Sequence, residues 1–548
     1  MTLLVDVFGF LSIILHGLVI VAQSMALGGV IFLLLLARPL RGMACGELIA
    51  ADTARIAGWA ALALLAVEGV SLAMQGAVLG ATVDLSALEV LTASFAEASL
   101  VKCAAAAVLA LLLLGRGVAA PKGLLIAACA LELCAATLTT HAAARMETRW
   151  PLLAIEGLHQ LGAAIWIGGI PCFVSALARV QDGLGWRTVG SRFSQLSMLG
   201  VGCIIVSGFT MAALYVGSLQ GFYGTAYGVM VGAKGAMFGF LLLLGLGNFL
   251  VVGHLRSDPG APVLRMKRFA EVEIGIGFTL FFAAASLTSV PPSVDLTRDR
   301  VSWAEVVERN TPVWPRLTSP DYDALTLPAL QAQLDREAAT QKTAPQQAFT
   351  PGSGQIPARN AADIAWSEYN HHWAGVFVVG IGLLALINRA GARWARHWPL
   401  LFLGLAVFLF LRSDPEVWPM GREGFFESLR DVEVLQHRFF VVLVVLFGLV
   451  EWRVRAGGWQ SKRAALVFPL ATAIGGAALL THTHAIANVK DQLLIELTHT
   501  PLALASIAAG WARWLEIGLD GRAARIAGWV WQILFMLIGV ILLLYREA

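Results

Sequence analysis

Charge is what this 548-residue sequence has least of: Asp, Glu, Lys and Arg make up 14% of it, against 58% hydrophobic residues. Ordinary soluble domains carry about 25% charge. A water-exposed globular fold is therefore excluded, and the fold class is an all-α polytopic membrane protein. The formal net charge of +3 is too small to attract a polyanion, which excludes nucleic acid as a partner. Cysteine is scarce as well. Cys45, Cys103, Cys129, Cys134, Cys172 and Cys203 show no CxxC spacing and mostly lie inside apolar runs, which excludes a thiolate relay and a disulfide framework. There is no GxxxxGK[ST] phosphate loop and no cytoplasmic stretch long enough for an ATPase domain, so ATP does not drive this chain. The N-terminus lacks the basic region and cleavage site of a signal peptide, and its first apolar run is expected to be retained.

What is abundant is long apolar runs. A spanning helix needs roughly 20 mostly apolar residues, and about fourteen stretches qualify: 9–37, 57–79, 97–115, 122–141, 153–178, 194–217, 228–253, 269–290, 371–388, 397–412, 435–452, 464–481, 494–513 and 525–545. Basic residues gather in alternate loops, among them Arg38 and Arg41, Arg187 and Arg192, Arg389, Arg393 and Arg396, and Arg453 and Arg455. Those loops are cytoplasmic by the positive-inside rule, which puts both termini outside. Residues 1–293 then form an eight-helix membrane domain. Residues 294–365 form a polar outer segment, and 366–548 a six-helix membrane domain. The polar segment reads either as a linker or as a lid or docking element, and its Pro- and Gln-containing composition leans to disorder.

The chemistry lies in the histidines. Of eleven, His254 and His397 fall beside Arg at cytoplasmic ends and His16 lies well inside the first helix. The other eight, His141, His159, His371, His372, His437, His482, His484 and His499, gather towards the outer surface. Glu156, Glu368, Glu433 and Glu496 each precede one of them by three or four residues, which puts carboxylate and imidazole on one helix face. Each carboxylate reads equally as a helix cap or as the partner that orients a metal-binding imidazole. Imidazole-rich sites suit copper, zinc, iron or haem. Haem b on paired histidines, or a di-metal carboxylate centre, would make the protein a membrane oxidoreductase. Glu68, Glu132, Lys234, Asn248 and Glu273 fall inside apolar runs, where ionisable residues mark ion pathways or buried pairs. With His16, Glu68 and Glu132 could continue a route inward.

Leu158-His159-Gln160-Leu161 and Trp166-Ile167-Gly168-Gly169, followed by Ser191-Arg192-Phe193-Ser194, Tyr227-Gly228, Lys234, Asn248, Arg268-Phe269 and Thr288-Ser289-Val290-Pro291-Pro292, resemble the CopD copper-resistance family. The resemblance covers about residues 1–293. The C-terminal part, with Glu368-Tyr369-Asn370-His371-His372, Gln436-His437-Arg438 and Thr481-His482-Thr483-His484, looks like the extension of longer CopD-type proteins. The resemblance implies a multi-pass protein of the bacterial inner membrane that handles copper at the periplasmic face, as a transporter or importer rather than an enzyme. It also implies a periplasmic copper chaperone of the CopC type as partner. His141 and His159 carry over as metal ligands, with His16 deeper. The remaining outer histidines stand as ligand candidates on chemistry alone. Delivery of copper to a partner without translocation is a further alternative.

Overall fold

Bilayer thickness sets the unit of this fold. At 1.5 Å per residue, roughly 20 apolar residues cross a hydrocarbon core of about 30 Å. In a computed structural model of the protein, thirteen helices among the described residues meet that length and apolarity. The structure describes residues 2–83, 85–145, 148–258, 260–296, 300–321, 361–429, 431–459, 461–481 and 489–547. The protein is a multi-pass, all-α membrane protein, and no strand occurs among the described residues beyond one isolated bridge between Val417 and Glu423.

The chain divides into two units, Met1–Ser218 with Lys234–Val294, and Leu219–Ala233 with Asp295–Ala548. The first holds α1 (Thr2–Phe32), α2 (Gly46–Thr82), α3 (Ser94–Arg116), α4 (Lys122–Thr137), α5 (Arg149–Ala163), α6 (Ile170–Arg179) and α7 (Gly183–Tyr215), then most of α8 (Ala226–Ser257) and α9 (Leu264–Leu287). Its helices leave large apolar side chains outward, Phe209 at 77% and Leu111 at 74% exposure, the pattern of a lipid-facing surface. Val19, Ala22, Leu64 and Ala106 pack α1, α2 and α3 together.

Two local departures follow from composition. The run 122–141 was expected to form one spanning helix, but α4 stops at Thr137 after 16 residues. The hydroxyls of Thr137, Thr139 and Thr140 each bond back to a carbonyl three residues earlier, offering the backbone a turn in place of the helical ladder. Between α5 and α6, residues Ala164–Gly168 form a π turn, so that 149–179 is one span of 31 residues with a shifted register. That turn lies flat against α1. A Cβ on Gly168 would sit 1.9 Å from the Ser24 carbonyl oxygen, and one on Gly28 would sit 2.1 Å from that of Ala164. Glycine at both positions is what lets the two backbones touch, as small residues do between membrane helices.

The second unit contains α10 (Trp303–Asn310), α11 (Ala361–Arg389), α12 (Leu401–Arg412), α13 (Val432–Arg455), α14 (Val467–Thr481), α15 (Val489–Gly518) and α16 (Gly521–Leu543). Trp398, Phe402, Phe468, Trp531 and Phe535 form its aromatic core. The polar segment after residue 294 was expected to lean to disorder, yet its described part is built into this unit. Ser302 and Glu305 close a capping box at the start of α10, and Val301 and Val306 pack on Leu493 of α15. Arg309, Arg316 and Leu317 then bond to Glu547, Glu368 and Trp373, fastening the strand of chain 300–321 to α11 and to the residues after α16.

Candidate functional site

On α5, Glu156, His159 and Gln160 are spaced for one face, and the structure gives each a partner. The His159 Nδ1 lies 2.9 Å from the Ser207 hydroxyl of α7, and that hydroxyl donates its proton to the Cys203 carbonyl at 2.6 Å. With its proton spent, Ser207 Oγ accepts from His159. The hydrogen-bond network thus assigns the ring proton to Nδ1 and the lone pair to Nε2. A neutral imidazole held in this way is the form that binds a metal, oriented by its second nitrogen. Gln160 donates to Glu156 at 3.3 Å and accepts from Gln23 of α1 at 3.0 Å, a polar line leading from α5 into the helix that carries His16 seven residues earlier. The Lys234 ammonium of α8 lies within electrostatic reach of both His159 and Glu156, so the carboxylate balances it.

Elsewhere in this unit, Glu68 of α2 and Lys102 of α3 form a buried ion pair at 2.8 Å, with 7% and 3% of their side chains exposed. Glu132 of α4 is fully buried. On the other side of the π turn, Trp166 and Asn248 both donate to Glu273, the Asn248 bond at 2.6 Å, beside a cavity of about 360 Å³ that also touches Ser197 and Phe249.

The second unit brings two candidate histidines together. His371 of α11 and His499 of α15 have ring centroids 6.0 Å apart, and the Tyr545 ring stacks on His371 at 3.9 Å. Each Nδ1–H donates to the carbonyl four residues earlier, Ser367 at 2.8 Å and Ile495 at 3.0 Å, which turns the Nε2 of His371 into the acceptor. Two imidazoles bound at roughly 2 Å from one ion would need about this separation. His372 is engaged differently: its Nδ1 accepts the Arg316 N–H at 2.6 Å and its Nε2–H donates to the Tyr545 carbonyl at 2.8 Å. Both ring nitrogens serve the attachment of 300–321 and the C-terminal residues. The Nδ1–H of His437 donates to Asp414 at 2.6 Å, a carboxylate 4% exposed that also faces Arg438 at 3.7 Å.

Residues 187–287 match the family described as Copper resistance protein D, CopD. The likeness to the CopD family is thus carried by residues 187–287. The copper transport protein CutJ of Bacillus subtilis (strain 168) is 32% identical over 163 residues, 29% of this chain and 29% of that relative. The alignment thus spans under a third of the relative's length. No solved structure matches. The CopD-matched stretch covers most of α7 and all of α8 and α9 and includes Ser207, Lys234, Asn248 and Glu273, whereas His16, His141, His159 and the candidate histidines of the second unit fall outside it.

Among the sequence candidates, His482, His484 and the side chains of His141 and Glu433 lie outside the described residues. Among the described residues, no three His, Cys, Asp or Glu side chains gather closely enough to hold one metal ion. The spacing of Glu368 and Glu496 pointed to His371 and His499, but Glu368 pairs with Arg316 at 3.2 Å and Glu496 accepts from Thr500 at 3.3 Å. The groups that orient the imidazoles are a hydroxyl, backbone carbonyls and a loop aspartate. Ser207 and Asp414 escaped sequence reasoning because they lie 48 and 23 residues from the histidines they hold, beyond any helical periodicity.

Proposed function

We propose that the protein moves copper ions across the bacterial inner membrane, taking them from the periplasm at a face lined by histidines, with both termini on that side. The observation that carries this reading is His159, whose Nδ1 is committed to Ser207 and whose Nε2 is left as a lone-pair donor on the motif that resembles CopD. Copper is the cargo, and imidazole nitrogen suits it. Glu156 offsets the charge of Lys234 beside the bound ion, and His141 and His16 complete the capture route above and below. A second capture point consists of His371 and His499, with His437, His482 and His484 on the same outer side. A chaperone of the CopC type would deliver the ion, with the polar segment 294–365 as its docking element. The copper named in the CopD family and in the CutJ relative supports the cargo, and neither name points to haem.

The test is metal content together with a visible spectrum on purified protein. Wild type would be compared with His141→Ala/His159→Ala and with His371→Ala/His499→Ala, each checked for helix content by circular dichroism. Bound copper that is lost in the first pair supports the reading, and its loss in the second locates the other site. A Soret band with iron, or wild type that holds no copper, overturns it.

A further inference from the structure

Glu132 has no role in the capture site just described. It sits on the short helix α4 at 0% exposure, and both of its carboxylate oxygens are buried without a hydrogen-bond partner among the described residues. An ionised carboxylate in that state is among the costliest arrangements a protein can hold, since neither water nor a donor compensates the lost solvation. Around it stand Lys102 and Cys103 from α3, Glu68 from α2 and Cys129 one turn earlier on its own helix. From α1, His16 lies one turn from Val19, which packs on Leu64 and Ala106; from α5, Glu156 is turned to Gln160. Lys102 is already committed to Glu68 at 2.8 Å.

The charge count then decides the occupant. Two carboxylates and one ammonium leave one negative charge if all are ionised, and the cluster is neutral when it holds one additional cation. Among the described residues no three donors converge as a metal would require, whereas a proton needs only the one oxygen. We propose that Glu132, beside the Glu68–Lys102 pair, is a proton-binding site in the interior of the first unit, and that it gains and releases its proton as copper passes. The coupling rests on the copper-transport reading; proton binding at Glu132 does not. The step is proton transfer alone. An O–H bond forms at a Glu132 oxygen when water on one side gives up a proton, breaks when the proton leaves to the other side, and no electron moves.

Infrared difference spectroscopy of the purified protein reads the site directly through the C=O stretch of a protonated carboxyl and its shift in D2O. Wild type should show a band that Glu132→Gln removes, whatever bands other buried carboxyls such as Glu273 contribute. In Glu68→Gln the freed Lys102 turns to Glu132, which then ionises, so the band should vanish there too. In Lys102→Met two carboxylates face each other without a counter-charge, so the band should grow. In proteoliposomes, copper added outside should drive a pH change in the lumen that Glu132→Gln abolishes. A wild-type protein with no band that Glu132→Gln removes overturns the site. So does copper that is retained by wild type and lost in Cys103→Ser/Cys129→Ser, since the occupant is then a metal. If the bands behave as stated but no copper crosses, the site stands and the transport reading falls.

Discussion

Ser207 has one proton to give, and where it goes decides what His159 can do. Because the Cys203 carbonyl takes it, the imidazole keeps its proton on Nδ1 and presents Nε2 as a base. Ser207→Ala removes the acceptor without touching a ligand, so copper affinity should fall about 10- to 100-fold, the usual cost of losing an orienting partner. A competition titration against a coloured chelator measures it, and Ser207→Thr, which keeps the hydroxyl, should recover most of the loss. Protons compete for the same Nε2 lone pair. Copper retained by wild type at pH 8 should therefore be released as the solution is acidified, read as metal left on the protein after desalting at each pH; retention unchanged in acid that leaves the helices intact would argue that imidazole does not hold the ion. At this scale the sequence showed the donors and hid their supports. His159 and His371 stood out as ionisable groups in apolar runs, but nothing near them in the chain announced Ser207 or the backbone carbonyl of Ser367, because a tautomer is settled by folding.

At the scale of elements, the same division has a different cause. Apolar length alone makes a spanning helix legible, because hydrocarbon demands it. Helix irregularity is not legible in that way. The early end of α4 and the π turn Ala164–Gly168 each depend on where a few side chains or a facing backbone compete with the helical ladder. Trp166-Ile167-Gly168-Gly169 was recognisable as a motif. Its physical content, contact between two backbones, became visible only with α1 in place. Gly168→Ala tests that content. Its Cβ would lie 1.9 Å from the Ser24 carbonyl oxygen, so α1 or the π turn must move. The expected cost is about 1–3 kcal/mol of stability, read as a lower melting temperature in detergent. The Gln23–Gln160 bond beside the contact should loosen with it, weakening copper binding. Gly253→Ala on α8 meets nothing within 4 Å and serves as the control. It should be neutral or stabilising by up to about 1 kcal/mol, the ordinary preference of a helix for alanine.

For the whole molecule, the proposal depends on which side each loop faces. The argument for sidedness is the alternation of basic loops, a signal spread over the chain and therefore readable without any structure. The described structure adds the positions at which it can be probed. Trp314, in the folded part of the polar segment, is 95% exposed, and Trp394, between Arg393 and Arg396, is 67% exposed. Among the described residues, one candidate membrane crossing, α11, separates the two. Cysteine at either position, in a chain whose six native cysteines are replaced by serine, can be labelled in intact spheroplasts with a membrane-impermeant maleimide. Trp314→Cys should react at once and Trp394→Cys only after permeabilisation. The opposite result would put the histidines of α11 and α15 at the cytoplasmic face. Copper taken from the periplasm would then have no imidazole to meet on arrival at that unit, and the same residues would have to be read as a point of release.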